Sequence, residues 1–346
     1  MNIQQQPITK NEQNFEKNQN DTFQYRLHKQ YSVQQNKWCK AIAFNKNSTI
    51  LAIGCNEIIK LYEFKEGDLK LFKSIQGHSF DVNCLKWSNY QNQLISAGYD
   101  GKILFWSINS INHQKLIMKF VIHSLSITCL IMNTQENFLI TGSMDQTIQI
   151  MNQNYQKFDW NTFQVIKEHV DTIFALSLSQ NQKKLISCGY DNLIIVLENN
   201  GLATQKNYWI VKQKIITNVH GYRLCFLKDY LFAFQPYNKE ELWIFDDQNL
   251  QKQFKSSKII QIKSECDDFA SLFPQQFIQN KRIILSKNGN FIHLIKFLDQ
   301  DDFQVIQEID FGDQCIYGQL SPNGKYLVTW DNKSNFIQIR LLDEQQ

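Results

Sequence analysis

The chain has 346 residues, of which 43% are hydrophobic and 13% aromatic, enough apolar material for a large buried core. Its formal net charge of +3 is small for this length and no block of Lys and Arg is present, so neither nucleic acid nor a membrane surface is expected as a partner. The eight cysteines include no C-x-x-C pair and no apolar stretch approaches membrane-spanning length, which favours a soluble protein in a reducing, cytoplasmic compartment.

The polar N-terminus comes first in the chain. Residues 1–21 lack the apolar core of a signal peptide and are predicted to form a disordered tail. The next segment, Phe23-Gln24-Tyr25-Arg26-Leu27, alternates like a strand and resembles Phe303-Gln304-Val305-Ile306-Gln307 far downstream. A strand is therefore expected directly after the tail.

A repeat of about 45 residues follows and dominates the middle of the sequence. In three copies, an Asp lies 22 positions after a His, and a large residue lies six positions after the Asp. A β-rich run with a Ser or Thr precedes each Asp. The members are His78, Ser96, Asp100 and Trp106, then His123, Thr141, Asp145 and Met151, then His169, Ser187, Asp191 and Leu197.

Weaker copies extend the repeat in both directions. One precedes the three, with Leu51–Asn56 followed by Tyr62, and three follow them, ending on Ser321–Asp331. Each period holds short β-rich runs separated by turn residues, which is typical of a four-stranded propeller blade. The seven predicted repeats span approximately residues 35–66, 75–109, 120–154, 165–200, 210–247, 258–298 and 305–342.

The pattern therefore predicts an all-β, seven-bladed β-propeller of four-stranded antiparallel blades over residues 22–342. The segment 23–27 is expected to lie beside Ile337-Gln338-Ile339-Arg340 as the outer strand of the last blade. Such closure joins the first part of the chain to the last and removes an exposed sheet edge.

These residues resemble the WD-repeat (G-beta-like) family over roughly residues 22–342, and the Gln- and Asn-rich loops resemble the expanded WD-repeat proteins of ciliates. In that family His, Ser or Thr, Asp and Trp form a hydrogen-bonded structural tetrad. The resemblance carries all four roles to His78, Ser96, Asp100 and Trp106, and three of them to each of the next two units. The alternative, a Ser-His-Asp nucleophilic triad, is disfavoured because three copies on separate blades cannot converge on one substrate.

The resemblance also points to a binding face, because partners commonly dock beside the residue just before the turn Asp. In this sequence the candidates for that partner-binding face are Tyr99, Met144, Tyr190, Trp330 and Tyr237. Aromatic and Met side chains are enriched in interface cores, which favours a protein partner. The alternative is that these side chains only pack against neighbouring blades.

No motif indicates catalysis, a metal or a cofactor. The acidic pairs Asp246-Asp247, Asp267-Asp268 and Asp301-Asp302 have no spaced His beside them and are predicted to be solvated loop charges. The leading hypothesis is a non-catalytic protein-interaction scaffold, a monomeric propeller within a complex. Two alternatives stay open: a subunit of the cytosolic iron–sulfur protein assembly machinery, and a propeller enzyme with its site in the central channel.

Overall fold

A computed structural model describes residues 23–110, 113–154, 159–201, 208–268 and 272–344. The tail predicted for residues 1–21 lies outside this part of the chain. Within it, 29 strands form seven antiparallel sheets, and the only helical segments are the short 3-10 turns Lys29–Tyr31 and Asp299–Asp301. None of the described residues belongs to a helix long and apolar enough to cross a membrane.

Six blades are built from four strands that follow one another in the chain. Blades 1 and 2 contain β3 (Cys39–Phe44), β4 (Ile50–Cys55), β5 (Ile58–Lys65), β6 (Asp68–Gln76), β7 (Val82–Trp87), β8 (Gln93–Gly98), β9 (Lys102–Ser110) and β10 (His113–Val121). Blades 3 and 4 contain β11 (Ile127–Met132), β12 (Phe138–Ser143), β13 (Ile148–Asn154), β14 (Asp159–Ile166), β15 (Ile173–Leu178), β16 (Lys184–Gly189), β17 (Leu193–Asn199) and β18 (Trp209–Ile216).

Blades 5 and 6 contain β19 (Gly221–Lys228), β20 (Leu231–Pro236), β21 (Glu241–Asp246), β22 (Lys255–Gln261), β23 (Gln276–Ile278), β24 (Ile283–Asn288), β25 (Phe291–Phe297) and β26 (Phe303–Asp310). Blade 7 contains β27 (Ile316–Leu320), β28 (Tyr326–Asp331) and β29 (Phe336–Glu344), and its fourth strand comes from the N-terminus as β1 (Phe23–Leu27). The two-residue strand β2 (Val33–Gln34) also pairs with β29. The predicted seven-bladed architecture is confirmed.

The ring is closed in two ways. The first strands of successive blades contact one another around the whole circle, and β27 of blade 7 contacts β3 of blade 1. On the outside, β1 pairs antiparallel with β29, with Phe23 opposite Glu344 and Leu27 opposite Arg340. The edge of β29 is therefore covered, which limits pairing with other chains.

The core lies between the blades, because each sheet packs its two faces against its neighbours. The second strand of most blades is accordingly buried along almost its whole length, as in the run Leu-Ile-Ser-Ala-Gly that ends β8. The outer strands, such as β22, are largely exposed. The first four predicted repeats each contain three inner strands, so the outer strand of a blade lies between one repeat and the next.

Candidate interaction face

The second blade contains a continuous hydrogen-bonded network that spans its depth. His78 Nδ1 lies 2.9 Å from Asp100 Oδ1, and its Nε2 lies 2.8 Å from Ser96 Oγ. Trp106 Nε1 donates to the same Ser96 oxygen at 2.9 Å. When His78 donates a hydrogen bond from Nδ1 to the Asp100 carboxylate and accepts one at Nε2 from the Ser96 hydroxyl, every member of this network is satisfied.

Blades 3 and 4 repeat the arrangement without the indole. His123 bridges Asp145 and Thr141, with 2.9 Å at each ring nitrogen. His169 bridges Asp191 and Ser187 at 2.9 and 2.8 Å. Met151 and Leu197 are buried at the position of the indole. Each hydroxyl is fully buried and hydrogen-bonded to its histidine, so the geometry supports the folding of one blade and offers no exposed nucleophile.

The tetrad carboxylates are ionised under ordinary conditions. Burial opposes the ionisation of Asp100, but hydrogen bonds from His78 and from the backbone N–H of Ser79 outweigh it and hold the pKa of Asp100 below its ordinary value. The same balance lowers the pKa of Asp191. Burial lowers the pKa of His123, against the attraction of Asp145. A neutral histidine beside a carboxylate is thus the stable state in the third blade.

The fifth blade keeps the strands and loses the polar network. By strand pairing, Phe234 takes the position of the tetrad hydroxyl, and Phe245 takes the position of the indole. Their ring centroids lie 6.4 Å apart at an interplanar angle of 81°. Edge-to-face packing of two buried rings needs no hydrogen-bond partner, so it replaces the tetrad without leaving a polar group unsatisfied.

The family described as "WD domain, G-beta repeat" matches residues 69–107, 114–152 and 160–196. These three segments are the units whose tetrads are described above, each beginning on the outer strand of one blade and ending on the third strand of the next. The chain is a WD-repeat β-propeller. A chain in a structure titled "Crystal Structure of Mitotic Checkpoint Complex" shares the fold of this WD-repeat propeller, with a TM-score of 0.72, 14% identity, and coverage of 91% of this chain and 94% of that one.

Two curated proteins are similar to parts of the chain. Elongator complex protein 2 of Saccharomyces cerevisiae is 23% identical over 195 residues, which cover 55% of this chain and 24% of that protein. Cilia- and flagella-associated protein 57 C of Tetrahymena thermophila is 30% identical over 91 residues, 25% of this chain and 7% of that protein. The chain thus spans no more than a quarter of the length of these relatives, and the match to the Tetrahymena protein, which is a ciliate protein, is short.

One backbone hydrogen bond fixes where each candidate face residue lies. In blade 2 the N–H of Tyr99 donates to the carbonyl of the residue just before the blade's first strand, at 2.9 Å. The same bond is made by Met144, Tyr190 and Tyr237, at 2.9, 2.8 and 2.7 Å. We call this the turn position and the end of the propeller that carries it the upper face. Four of the five candidate face residues occupy it, in the consecutive blades 2 to 5.

Trp330 does not lie on the upper face. The bond that defines the turn position is made in blade 7 by Asn332, 3.2 Å from the carbonyl of Cys315. Trp330 lies two residues earlier and is fully buried, with its Nε1 donating to the carbonyl of Gln35 at 2.8 Å. It also packs 6.2 Å from the ring of Trp38. The prediction for Trp330 was therefore wrong, since this side chain fills the contact between blades 7 and 1.

The first blade also places a small side chain at the turn position. The N–H of Asn56 donates to the carbonyl of Trp38 at 2.9 Å, which puts Asn56 at that position. Its backbone lies at φ 52, in the left-handed region that Asn tolerates in tight turns. Asparagine thus occupies the turn position in blades 1 and 7, whereas blades 2 to 5 carry large side chains there.

Between blades 4 and 5 the upper face carries a packed aromatic cluster that sequence patterns did not reveal. His220 stacks on Tyr237 with centroids 4.5 Å apart, and lies 4.3 Å from Tyr190. Tyr222 and Phe174 complete the cluster, 4.6 Å from each other. Burial lowers the pKa of His220, against nearby Asp171 and Asp268, so an uncharged ring lies among the tyrosines.

Beneath this cluster, a buried carboxylate lies between two buried cations. Asp268 forms ion pairs with Arg223 and with Lys287, the latter at 2.6 Å, and all three side chains are essentially inaccessible. Burial opposes the ionisation of Asp268, but the two cations outweigh it and lower its pKa. Burial lowers the pKa of Lys287 to about 8. The prediction of a solvated loop charge was wrong for Asp268, and Asp247 is also buried, against Lys184.

The central channel is lined by the first strands of the blades. A cavity of about 570 Å³ occupies it, bordered mainly by apolar side chains and backbone. The polar side chains along its wall, among the described residues, are amides, hydroxyls and lysines, which include Asn83, Thr128, Gln275, Lys40 and Lys86. Lys40 is paired with the carboxylate of Asp81 at 2.8 Å, and among the described residues that line the cavity there is no carboxylate or histidine.

Proposed function

We propose that this WD-repeat propeller is a non-catalytic scaffold that docks a protein partner on the upper face of blades 2 to 5. The observation that carries the proposal is the run of large turn-position side chains in four consecutive blades, flanked by further exposed apolar residues. We call this surface the apolar arc; its members are Phe80, Tyr99, Leu125, Met144, Val170, Tyr190 and Tyr237.

The exposure of these side chains is unusual for apolar residues. Val170 is 72% exposed, Phe80 60%, Tyr99 and Leu125 53% each, and Tyr190 51%. Single exposed apolar residues are common, whereas a contiguous set marks an interaction surface. The rings of Phe80 and Tyr99 lie 6.1 Å apart, so the arc already pairs aromatic groups of the kind that anchor protein interfaces.

Two further observations support binding over catalysis. The serine and threonine hydroxyls of the three tetrads are buried and hydrogen-bonded inside their blades. Among the described residues, no group of three or more His, Cys, Asp or Glu is placed to hold a metal ion. Elongator complex protein 2, which is similar to part of this chain, belongs by its name to a complex, which is consistent with a scaffold role for this propeller. A role in iron–sulfur protein assembly stays a prediction.

The test compares two pairs of tyrosines at opposite ends of the propeller. Tyr99→Ala with Tyr190→Ala removes two arc side chains. Tyr90→Ala with Tyr208→Ala is the matched control, because these tyrosines are 70% and 55% exposed and lie in the β7–β8 and β17–β18 connections, at the end of the propeller opposite the upper face. Affinity capture from lysate followed by quantitative mass spectrometry is expected to lose a defined protein set with the arc variant only.

Photo-crosslinking tests the same surface without shortening a side chain to alanine. A benzoyl-phenylalanine is placed at position 99 or at position 90 in an otherwise unchanged chain, and both proteins are checked for equal melting temperature. The captured protein is expected to cross-link from position 99 and not from position 90. Equal capture by all variants, with no cross-link from position 99, would show that the arc is not a docking surface.

A further inference from the structure

Cys39 and Cys55 face each other across the first two strands of blade 1. They are opposite residues in the β3–β4 ladder, and their Sγ atoms lie 2.9 Å apart, in a fully buried environment. Directly opposite residues of an antiparallel pair have Cα atoms about 4.5–5.5 Å apart, within the range that a disulfide spans. Both sulfurs are free thiols. The backbone is therefore already placed for a bond between them.

This pair also occupies the end of its ladder. β3 begins at Cys39 and β4 ends at Cys55, so the pair lies at the open end of this hairpin, and the two-residue turn Asn56-Glu57 then leads from β4 into β5. Ladder ends open locally at a lower free energy than ladder centres. Cys55 also borders a cavity of about 390 Å³ at the surface, with Lys37 and Lys60 in the same wall. A small oxidant that enters this cavity meets the Cys55 sulfur when the ladder end opens.

We propose that Cys39 and Cys55 are a redox modification site, at which a peroxide converts the two thiols into an intramolecular disulfide. In the first step the Cys55 sulfur attacks one peroxide oxygen, which forms a sulfenic acid and releases one water from hydrogen peroxide. In the second step the Cys39 sulfur attacks the sulfenic sulfur, and a second water leaves as the S–S bond forms. The two sulfurs lose two electrons in total, and the O–O bond takes them.

Two properties determine how fast this site is oxidised and what its disulfide does to the fold. Burial raises the pKa of the Cys39 thiol, so the thiolate is scarce and oxidation is slow compared with that of an exposed reactive cysteine. The pair lies beside the contact between blades 7 and 1, where Trp38 packs near Trp330. A disulfide there tethers the first hairpin at the closure of the ring. The inference concerns blade 1 and does not depend on the docking proposed for blades 2 to 5.

The experiment uses the full wild-type chain and hydrogen peroxide. After treatment, peroxide is quenched with catalase, free thiols are alkylated in denaturant, and the protein is digested with trypsin. Cleavage after Lys37, Lys40, Lys46 and Lys60 predicts one cross-linked species, in which Trp38–Lys40 is joined to Asn47–Lys60. Dithiothreitol before alkylation is expected to abolish it. Cys266, which is exposed, reports in the same digest that the peroxide has acted.

Substitutions and a melting curve provide the controls. Cys39→Ala and Cys55→Ala are each expected to lose the cross-linked species, whereas Cys225→Ala, a buried cysteine of blade 5, keeps it. The oxidised wild type is expected to melt several degrees higher than the reduced protein, because the cross-link restricts the unfolded chain. Oxidation of Cys266 in wild-type protein without the cross-link between Trp38–Lys40 and Asn47–Lys60 would overturn the proposal.

Discussion

Arg340 of blade 7 and Trp106 of blade 2 occupy the same position in their blades, and each donates a hydrogen bond to the hydroxyl of the tetrad position. Arg340 Nη1 lies 2.8 Å from Thr329 Oγ1, and Trp106 Nε1 lies 2.9 Å from Ser96 Oγ. Burial lowers the pKa of Arg340 to about 10. Its guanidinium lies 4.7 Å from the ring of Phe311. Blade 7 therefore keeps a hydrogen-bond donor to the hydroxyl of the tetrad position, although it has no tryptophan indole there.

Replacing Arg340 tests whether that donor stabilises the seventh blade. Arg340→Met keeps much of the side-chain volume but removes the hydrogen bond to Thr329, and is expected to cost about 1–3 kcal/mol of unfolding free energy. Arg340→Trp restores a donor of the kind found in the second blade, so its loss is expected to be smaller. Urea unfolding of the wild type and the two variants measures both losses of unfolding free energy. Equal destabilisation by Met and Trp would contradict the role of the donor.

Sequence patterns predict contacts that depend on local spacing, but they fail for contacts that depend on the pairing of distant strands. His78 and Asp100 lie in one repeat, so a fixed spacing of 22 residues is enough to pair them. Trp330-Asp331 has the composition of a turn-position pair, but strand pairing places it two residues too early, and the carboxylate of Asp331 accepts from Ser334 within its own turn. No local pattern distinguishes such a register shift from the true motif.

Local sequence patterns could not predict the aromatic cluster or the buried ion pairs either, because their members are far apart in the sequence. Arg223 is 45 residues from Asp268 in the sequence, and only the packing of blade 5 against the following loop brings them together. Asp267 and Asp268 are adjacent acidic residues, yet the first is exposed and the second is buried. Which of two neighbouring carboxylates points inward is decided by the loop conformation and not by composition.

The same adjacent pair offers a matched test of the buried ion cluster. Asp268→Asn removes the charge between Arg223 and Lys287 and leaves two buried cations without their counter-ion, which is expected to cost about 3–5 kcal/mol. Asp267→Asn makes the same chemical change on the exposed neighbour and is expected to shift stability by about 0.5 kcal/mol or less. Thermal and urea unfolding compare them. Similar melting temperatures for the two variants would mean that the cluster does not stabilise the fold.

The burial of His293 is expected to make the folded protein less stable in mild acid. Its ring is fully buried in blade 6, its Nε2 donates to the carbonyl of Lys263 at 2.9 Å, and Glu308 lies 3.6 Å from Nδ1. Burial lowers the pKa of His293 to about 4, although Glu308 opposes this. The unfolded chain takes up a proton near pH 6.5 and the folded chain only near pH 4, so the stabilisation is complete above pH 6.5 and is lost as the pH falls.

The expected loss from this one group between pH 7 and pH 4 is on the order of 3 kcal/mol. His293→Gln keeps an N–H donor for the carbonyl of Lys263 but cannot titrate, so its unfolding free energy is expected to fall less steeply over that range. His28→Gln makes the same chemical change at a partly exposed histidine and serves as the matched control. Urea unfolding at four pH values between 4.5 and 7.5 gives the slopes. Parallel curves for His293→Gln and wild type would rule out this source of acid sensitivity.

The closing strand contributes stability mainly through Tyr25. This side chain is buried, its hydroxyl donates to the carbonyl of Gly324 at 2.6 Å, and its backbone N–H donates to Gln307 at 2.7 Å. Tyr25→Phe is expected to cost about 1–2 kcal/mol, because a buried carbonyl loses its donor. Tyr25→Ala is expected to cost about 3–5 kcal/mol, since a large cavity also forms where β1 packs on blade 7.

Gln24→Ala serves as the control in the same strand, because Gln24 points to solvent and β1 keeps its pairing with β29 in this variant. Urea unfolding is expected to rank the variants Gln24→Ala, Tyr25→Phe, Tyr25→Ala in order of increasing loss. Size-exclusion chromatography is expected to show aggregation first in Tyr25→Ala, since detachment of β1 exposes the backbone edge of β29. If Tyr25→Ala matches Gln24→Ala in both measurements, the N-terminal strand does not hold the ring closed in solution.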